Sequence, residues 1–101
     1  MSNIVKRGDF LVFQERDGKV TEFFISTLDF DLNECARPRR NRMIVHGCKG
    51  FRIPSGRFYE EGYHYWVDRK ATLEERNNFI QWMSDKGHTF NMNTLELCLN
   101  D

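Results

Sequence analysis

The chain has 101 residues, 40% of them hydrophobic and 30% charged, and its fifteen basic and fifteen acidic side chains cancel to a formal net charge of zero. That length predicts one domain spanning 1–101, large enough to fold without a metal or a disulfide. No apolar run approaches the ~20 residues of a membrane helix, and the opening "MSNIVKRGDF" lacks the apolar centre of a secretory leader, so no membrane partner is expected and the cytosol is the predicted compartment.

The first predicted element is a β-hairpin over "DFLVFQERDGKVTEFFIST". Asp17-Gly18 reads as a two-residue turn, with Gly supplying the positive φ that such turns need. Pairing Arg16 with Lys19 then sets Phe13 opposite Glu22, Val12 opposite Phe23, Leu11 opposite Phe24 and Phe10 opposite Ile25. One face carries Phe10, Val12, Phe23 and Ile25, the other Leu11, Phe13, Val20 and Phe24. Both are apolar, so both sides of the hairpin are expected to be covered. The triplet "RGD", Arg7 to Asp9, is read as the lead into the first of these strands and not as an adhesion signal.

"LDFDLN", Leu28 to Asn33, alternates apolar and acidic residues and predicts a half-buried strand. Asp29 and Asp31 lack a third acid to make a Mg²⁺ site, so they are taken as solvent-facing. Next comes "ARPRRNRM", Ala36 to Met43, in which Pro38 keeps the chain extended. Residues 35–57 contain seven basic groups (Arg37, Arg39, Arg40, Arg42, Lys49, Arg52, Arg57) and no acid, whereas 1–34 and 58–101 balance at −3 and −4. A strongly basic middle between acidic flanks is the most informative pattern in the chain.

"MIVHGC" predicts a buried strand, "KGFRIPSGRFYEEG" a run of turns and short extended pieces, and "YHYWVD" a return to strand. The cysteines Cys35, Cys48 and Cys98 cannot all pair within one chain and are expected to be reduced. His46 and Cys48 supply only half of a structural zinc site, so free buried thiols are expected, with no metal and no cofactor. In "ATLEERNNFIQWMSDKGHTF", Thr72 and Glu75 form a capping box, and Gly87 stands where a helix-ending glycine belongs. A helix from about Leu73 to Lys86 follows, with Leu73, Phe79, Ile80 and Met83 as its core stripe and Trp82 at the edge. A short hairpin closes the chain, with Phe90 on one strand and Leu95 and Leu97 on the other.

The C-terminal stretch "ATLEERNNFIQWMSDKGHTFNMNTLEL" resembles the endings of many small proteins from phages and mobile elements of gut bacteria. Those endings run A-T-x-E-E, a hydrophobic helix, then G-x-x-aromatic-x-x-x-T-x-E-L, and the opening "VKRGDFLVF" is similar to their first strand. The resemblance implies a barrel-like sheet closed by a helix and hairpin, and a phage or mobile-element origin with the cytoplasm of a bacterial host as its place. That family carries no settled activity, so the resemblance implies no catalytic residue. With the elements above, the expected fold class is α+β: a curved, mainly antiparallel, barrel-like sheet, one C-terminal helix and a closing hairpin.

An enzyme is not expected. The chain has no glycine-rich phosphate loop, nucleophile elbow or His–Glu metal motif, and His46, His64 and His88 lie on predicted strands beside aromatics. The expectation is a binding protein that engages or inhibits a host protein with an acidic surface. Its contact residues would be Arg37, Arg39, Arg40, Arg42, Arg52 and Arg57, with Phe51, Phe58 and Tyr59 as aromatic anchors. The alternative is nucleic acid, the same arginines on phosphates and the aromatics stacked on bases. A weaker alternative is a small anionic ligand such as a nucleotide, clamped by arginine forks. A surplus of exposed aromatics would favour a homodimer. The competing reading is a solvated loop whose arginines pair with acids of the same molecule, each pair contributing only ~0–1 kcal/mol.

Overall fold

The computed structural model describes residues 3–35, 42–53, 57–59, 65–91, 93–94 and 96–98; for 57–59, 90 and 96–98 the backbone alone is described. It is an α+β structure in which the strand pairs are antiparallel and the one α-helix among the described residues lies towards the C-terminus. The chain divides into two compact units, 1–70 and 71–101. No helix of the described residues is long and apolar enough to cross a membrane.

The described residues of the first unit form nine short strands: β1 (Ile4–Val5), β2 (Phe10–Gln14), β3 (Val20–Ser26), β4 (Phe30–Asp31), β5 (Met43–Val45), β6 (Cys48–Arg52), β7 (Arg57–Tyr59), β8 (Tyr65–Val67) and β9 (Arg69–Lys70). Five of them form one sheet in the order β7-β6-β3-β2-β9, while β1 pairs β4 and β5 pairs β8 as separate ladders. Among the described residues this sheet is open, with β7 and β9 as its edges, and is not closed into the expected barrel.

The four predicted hairpin pairs, from Phe10–Ile25 to Phe13–Glu22, are present, but the turn is not the predicted one. Glu15 N–H donates to Lys19 C=O at 2.8 Å and Gly18 N–H to Glu15 C=O at 2.9 Å, so three residues, Arg16 to Gly18, form the loop. Gly18 takes φ 86°, the left-handed position that ends a three-residue hairpin loop. A bulge between Phe13 and Gln14 absorbs the odd residue: Gln14 pairs with Val20, and the register beyond is the one expected from sequence. The "RGD" triplet forms a tight turn before β2: Asp9 N–H donates to Lys6 C=O, and the Asp9 carboxylate accepts from Lys6 N–H at 2.9 Å.

Both sheet faces are buried, as the hairpin's two apolar faces require. Val5, Leu11, Phe24, Leu32, Met43, Val45, Cys48 and Val67 form one core cluster, with Phe13, Phe30, Cys35 and Tyr65 packed against it. On the other face Phe10, Val12, Phe23, Ile25 and Phe51 are buried as well. Three predicted segments differ in detail. "LDFDLN" is a strand for two residues only, because Asp31 Oδ1 accepts the Asn33 N–H and caps a 3-10 turn over Leu32–Glu34. "MIVHGC" breaks at Gly47, whose φ of 66° turns the chain out of β5 and into β6. The glycine-rich stretch after it contains the β6–β7 hairpin, and Gly50 lies within strand β6, opposite Phe24 on one side and Tyr59 on the other.

In the second unit helix α1 spans Leu73–Asp85. The Thr72 hydroxyl accepts from Glu75 N–H, the Glu75 carboxylate accepts from Thr72 N–H, and Gly87 follows at φ 79°. Phe79 and Met83 are buried and Ile80 and Trp82 half-buried, but Leu73 is 71% exposed. The predicted stripe therefore starts one turn too early, since the first helical residue projects beyond the buried length. Strands β10 (Thr89–Asn91) and β11 (Glu96–Cys98) form the closing hairpin with Phe90 opposite Leu97; Leu95 lies outside the described residues.

Candidate functional site

The basic segment is reached through the sheet register. Cross-strand partners face the same side of a sheet, and one register row runs Phe13–Glu22–Arg52–Arg57 across β2, β3, β6 and β7. Three strand spacings make this row about 14 Å long. At its β2 end the Arg42 guanidinium lies 4.4 Å from the centroid of the Phe13 ring. Residues distant in sequence thus gather on one line, with arginines at both ends.

The arginines in this line differ in their surroundings. Arg42 Nε stands 3.6 Å from Asp68 Oδ1, with the two side chains 25% and 11% exposed, and its Nη2 donates to Gln14 C=O at 3.1 Å. The β5–β8 ladder explains the pairing: Met43 opposite Val67 puts Arg42 opposite Asp68 one step further on. Arg42 is therefore built into the fold. Arg52 is exposed on β6, opposite Glu22 on one side and Arg57 on the other.

Glu22, inside this row, is perturbed. Burial pushes its carboxyl above the ordinary value of 4.5; Arg52 pulls it back and Glu15 adds to the rise. Because the folded pKa is raised, the charged form is disfavoured in the native state. Stability is lost as pH rises from 4.5 through the folded value. A Glu22→Gln variant should therefore melt higher than wild type at neutral pH, with the gain shrinking as pH falls towards 4.5. Thermal melts across that range check it, and a gain that does not change with pH would contradict the burial account.

Of the other residues singled out from sequence, Arg37, Arg39 and Arg40 lie outside the described residues. Phe58 and Tyr59 are placed by backbone alone, opposite Phe51 and Gly50 on the edge strand β7. Phe51 is 2% exposed, so its ring serves packing and is withdrawn from any partner. Sequence reasoning missed Gln14, Glu22 and Asp68 as members of the constellation. The hairpin register already held Glu22, but Asp68 needed the β5–β8 pairing, which no local pattern announces.

Among the described residues no group of three or more His, Cys, Asp or Glu side chains is placed to hold a metal. His46 is exposed while Cys48, two residues on, is fully buried, so the "HGC" pair points two ways. Burial pushes the Cys48 thiol up to about 12, partly offset by a hydrogen bond with Ser26, and leaves it inert as a nucleophile. Cys35, half-buried, packs against the same core. No protein-family model, no curated protein and no solved structure matches this chain.

Proposed function

We propose that this chain is a small non-catalytic binding protein of phage or mobile-element origin, acting in the cytoplasm of a bacterial host on a host protein with an acidic surface. The observation that carries the reading is the acid-free basic segment 35–57, with the exposed Arg52 set opposite Arg57 at a sheet edge. An acidic partner is the complement to a segment with seven basic groups and no acid, and the exposed Arg52 is one contact available to it. The ends of the arginine-rich segment support the same reading. Cys35 packs on the core and Arg42 is tied to Asp68, so the described residues on either side of 36–41 are both held by the fold. The resemblance of the C-terminal sequence supports the origin.

Nucleic acid is the second reading, favoured by the number of arginines in the segment and weakened by the burial of Phe51, which removes one stacking ring. One variant serves both tests: Arg37→Ala/Arg39→Ala/Arg40→Ala/Arg52→Ala, with Arg42 kept because it is structural. Affinity capture from bacterial host lysate is expected to retain an acidic protein on the wild type and lose it on the variant. Equal capture by both would overturn the proposal. Fluorescence anisotropy against single- and double-stranded DNA and RNA is expected to show no binding at low salt. Binding with a log–log salt slope near about −3.6, as four phosphate contacts give, and its loss in the variant, would shift the function to nucleic acid.

A further inference from the structure

A second feature of the first unit is a groove of about 300 Å³ lined by Leu28, Phe30, Asp31, Glu34, Cys35, Ile44 and His46. Its volume is at the lower end of small-molecule clefts, roughly 300–1,000 Å³, and its make-up follows their usual pattern of apolar walls with a few polar groups. Leu28, Phe30 and Ile44 supply the apolar surface. The charged groups among the described lining residues are the carboxylates of Asp31 and Glu34; none is Lys or Arg.

The walls are held before any ligand arrives. Leu28 is 53% exposed, yet its bend is fixed from two sides. Leu28 N–H donates to the Ser26 hydroxyl at 3.2 Å, and that hydroxyl donates to Leu28 C=O. Thr27 N–H donates to Gly47 C=O at 2.8 Å, and the Thr27 hydroxyl donates to the same carbonyl. A Cβ on Gly47 would come within 2.5 Å of Leu28 Cδ1, so glycine is what lets the leucine lie against the β5–β6 turn. The backbone that carries this exposed apolar side chain is thus held in place, which removes part of the ordering cost of binding. On the polar side, Asp31 is fixed by accepting the Asn33 N–H at 2.8 Å, and Glu34 ends the 3-10 turn that this bond caps.

We propose that this groove binds a small amphipathic organic cation, a protonated primary amine on an aromatic or branched alkyl body. The body lies against Leu28, Phe30 and Ile44, and the ammonium lies at Asp31 and Glu34. The charge preference is opposite to that of the arginine row, none of whose residues is among the described lining, so the inference goes beyond the function proposed above.

The test is an NMR titration of the ¹⁵N-labelled full chain with three probes of one shape: phenethylamine, phenethyl alcohol and 3-phenylpropionate. Phenethylamine is expected to give saturable shifts at the amides of Leu28, Asp31, Glu34, Ile44 and His46. The alcohol should bind more weakly, and the carboxylate should leave these amides unmoved. The double variant Asp31→Asn/Glu34→Gln removes both charges, while the new side-chain amide at position 31 retains an oxygen for the Asn33 N–H. It should weaken phenethylamine roughly fivefold, the scale of two exposed ion pairs. Three probes that bind alike, no probe that binds, or a double variant as good as wild type would each overturn the proposal.

Discussion

Replacing Phe24 with alanine is expected to remove about 4 kcal/mol of unfolding free energy, the scale of a buried aromatic truncated in a packed core. Phe24 is 2% exposed in the middle of β3, between Leu11 on β2 and Gly50 on β6. Its ring meets Tyr65 at a centroid distance of 4.9 Å and a tilt of 32°. The cluster around it joins residues from β1, β2, β5, β6 and β8, so a cavity there loosens several ladders at once. Gly50 opposite has no side chain to move into the gap, so the cost is not relieved from that side. Domains of this kind have only ~5–15 kcal/mol to lose, so the variant should be close to unfolding. Urea denaturation followed by circular dichroism measures the loss. Leu73→Ala, at a position 71% exposed, should change stability by no more than about 0.5 kcal/mol and serves as the control. A Phe24 loss as small as the control's would mean that the cluster is not the core.

The second large effect is expected at Asp68. Its Oδ2 accepts the Gln14 N–H at 2.8 Å, its Oδ1 faces Arg42 Nε, and its own N–H donates to Val12 C=O at 2.8 Å. Arg42 in turn donates to Gln14 C=O, and Arg69 Nη2 donates to Gln14 Oε1 at 3.1 Å. Asp68→Ala strands both the Gln14 N–H and the Arg42 charge. A fully buried pair broken on one side costs ~3–5 kcal/mol, and partial exposure of Arg42 lets water recover some of that, so about 2–3 kcal/mol is expected. Asp68→Asn retains an acceptor for Gln14 and should cost about half as much. A double-mutant cycle with Arg42→Ala should give a coupling of at least about 0.5 kcal/mol. Strict additivity would show that the pair is geometric only. The same cycle matters for function, because any loss of binding in Arg42→Ala carries a loss of fold with it.

The elements that sequence revealed best were those held by local chemistry. The capping box at Thr72 and Glu75 and the glycine at 87 bound the helix within one residue of its observed end. The apolar alternation of Phe10 to Phe13 against Glu22 to Ile25 set four correct pairs even though the assumed turn was one residue short. The pattern constrains register more strongly than the loop does, and the bulge took up the difference. What stayed hidden depends on pairings distant in sequence. Gly50 reads as a turn residue until Phe24 is set opposite it, and Arg42 reads as one of a run of solvated arginines until Met43 pairs with Val67. The row that gathers Glu22, Arg52 and Arg57 exists only once β3 and β7 flank β6.

Strand β9 is two residues long and stops at Arg69, opposite Val12, while β2 runs on to Gln14. Beyond that point the backbone of Gln14 faces outward along the sheet margin, and the side chains of Asp68 and Arg42 take its N–H and C=O. They stand in for the missing strand. A bare margin of this kind is a template for strands from other molecules, so the ion pair has a consequence for colloidal behaviour apart from folding. Molecules that lose it while remaining folded would present an adhesive edge, and their first symptom at high concentration would be self-association and turbidity.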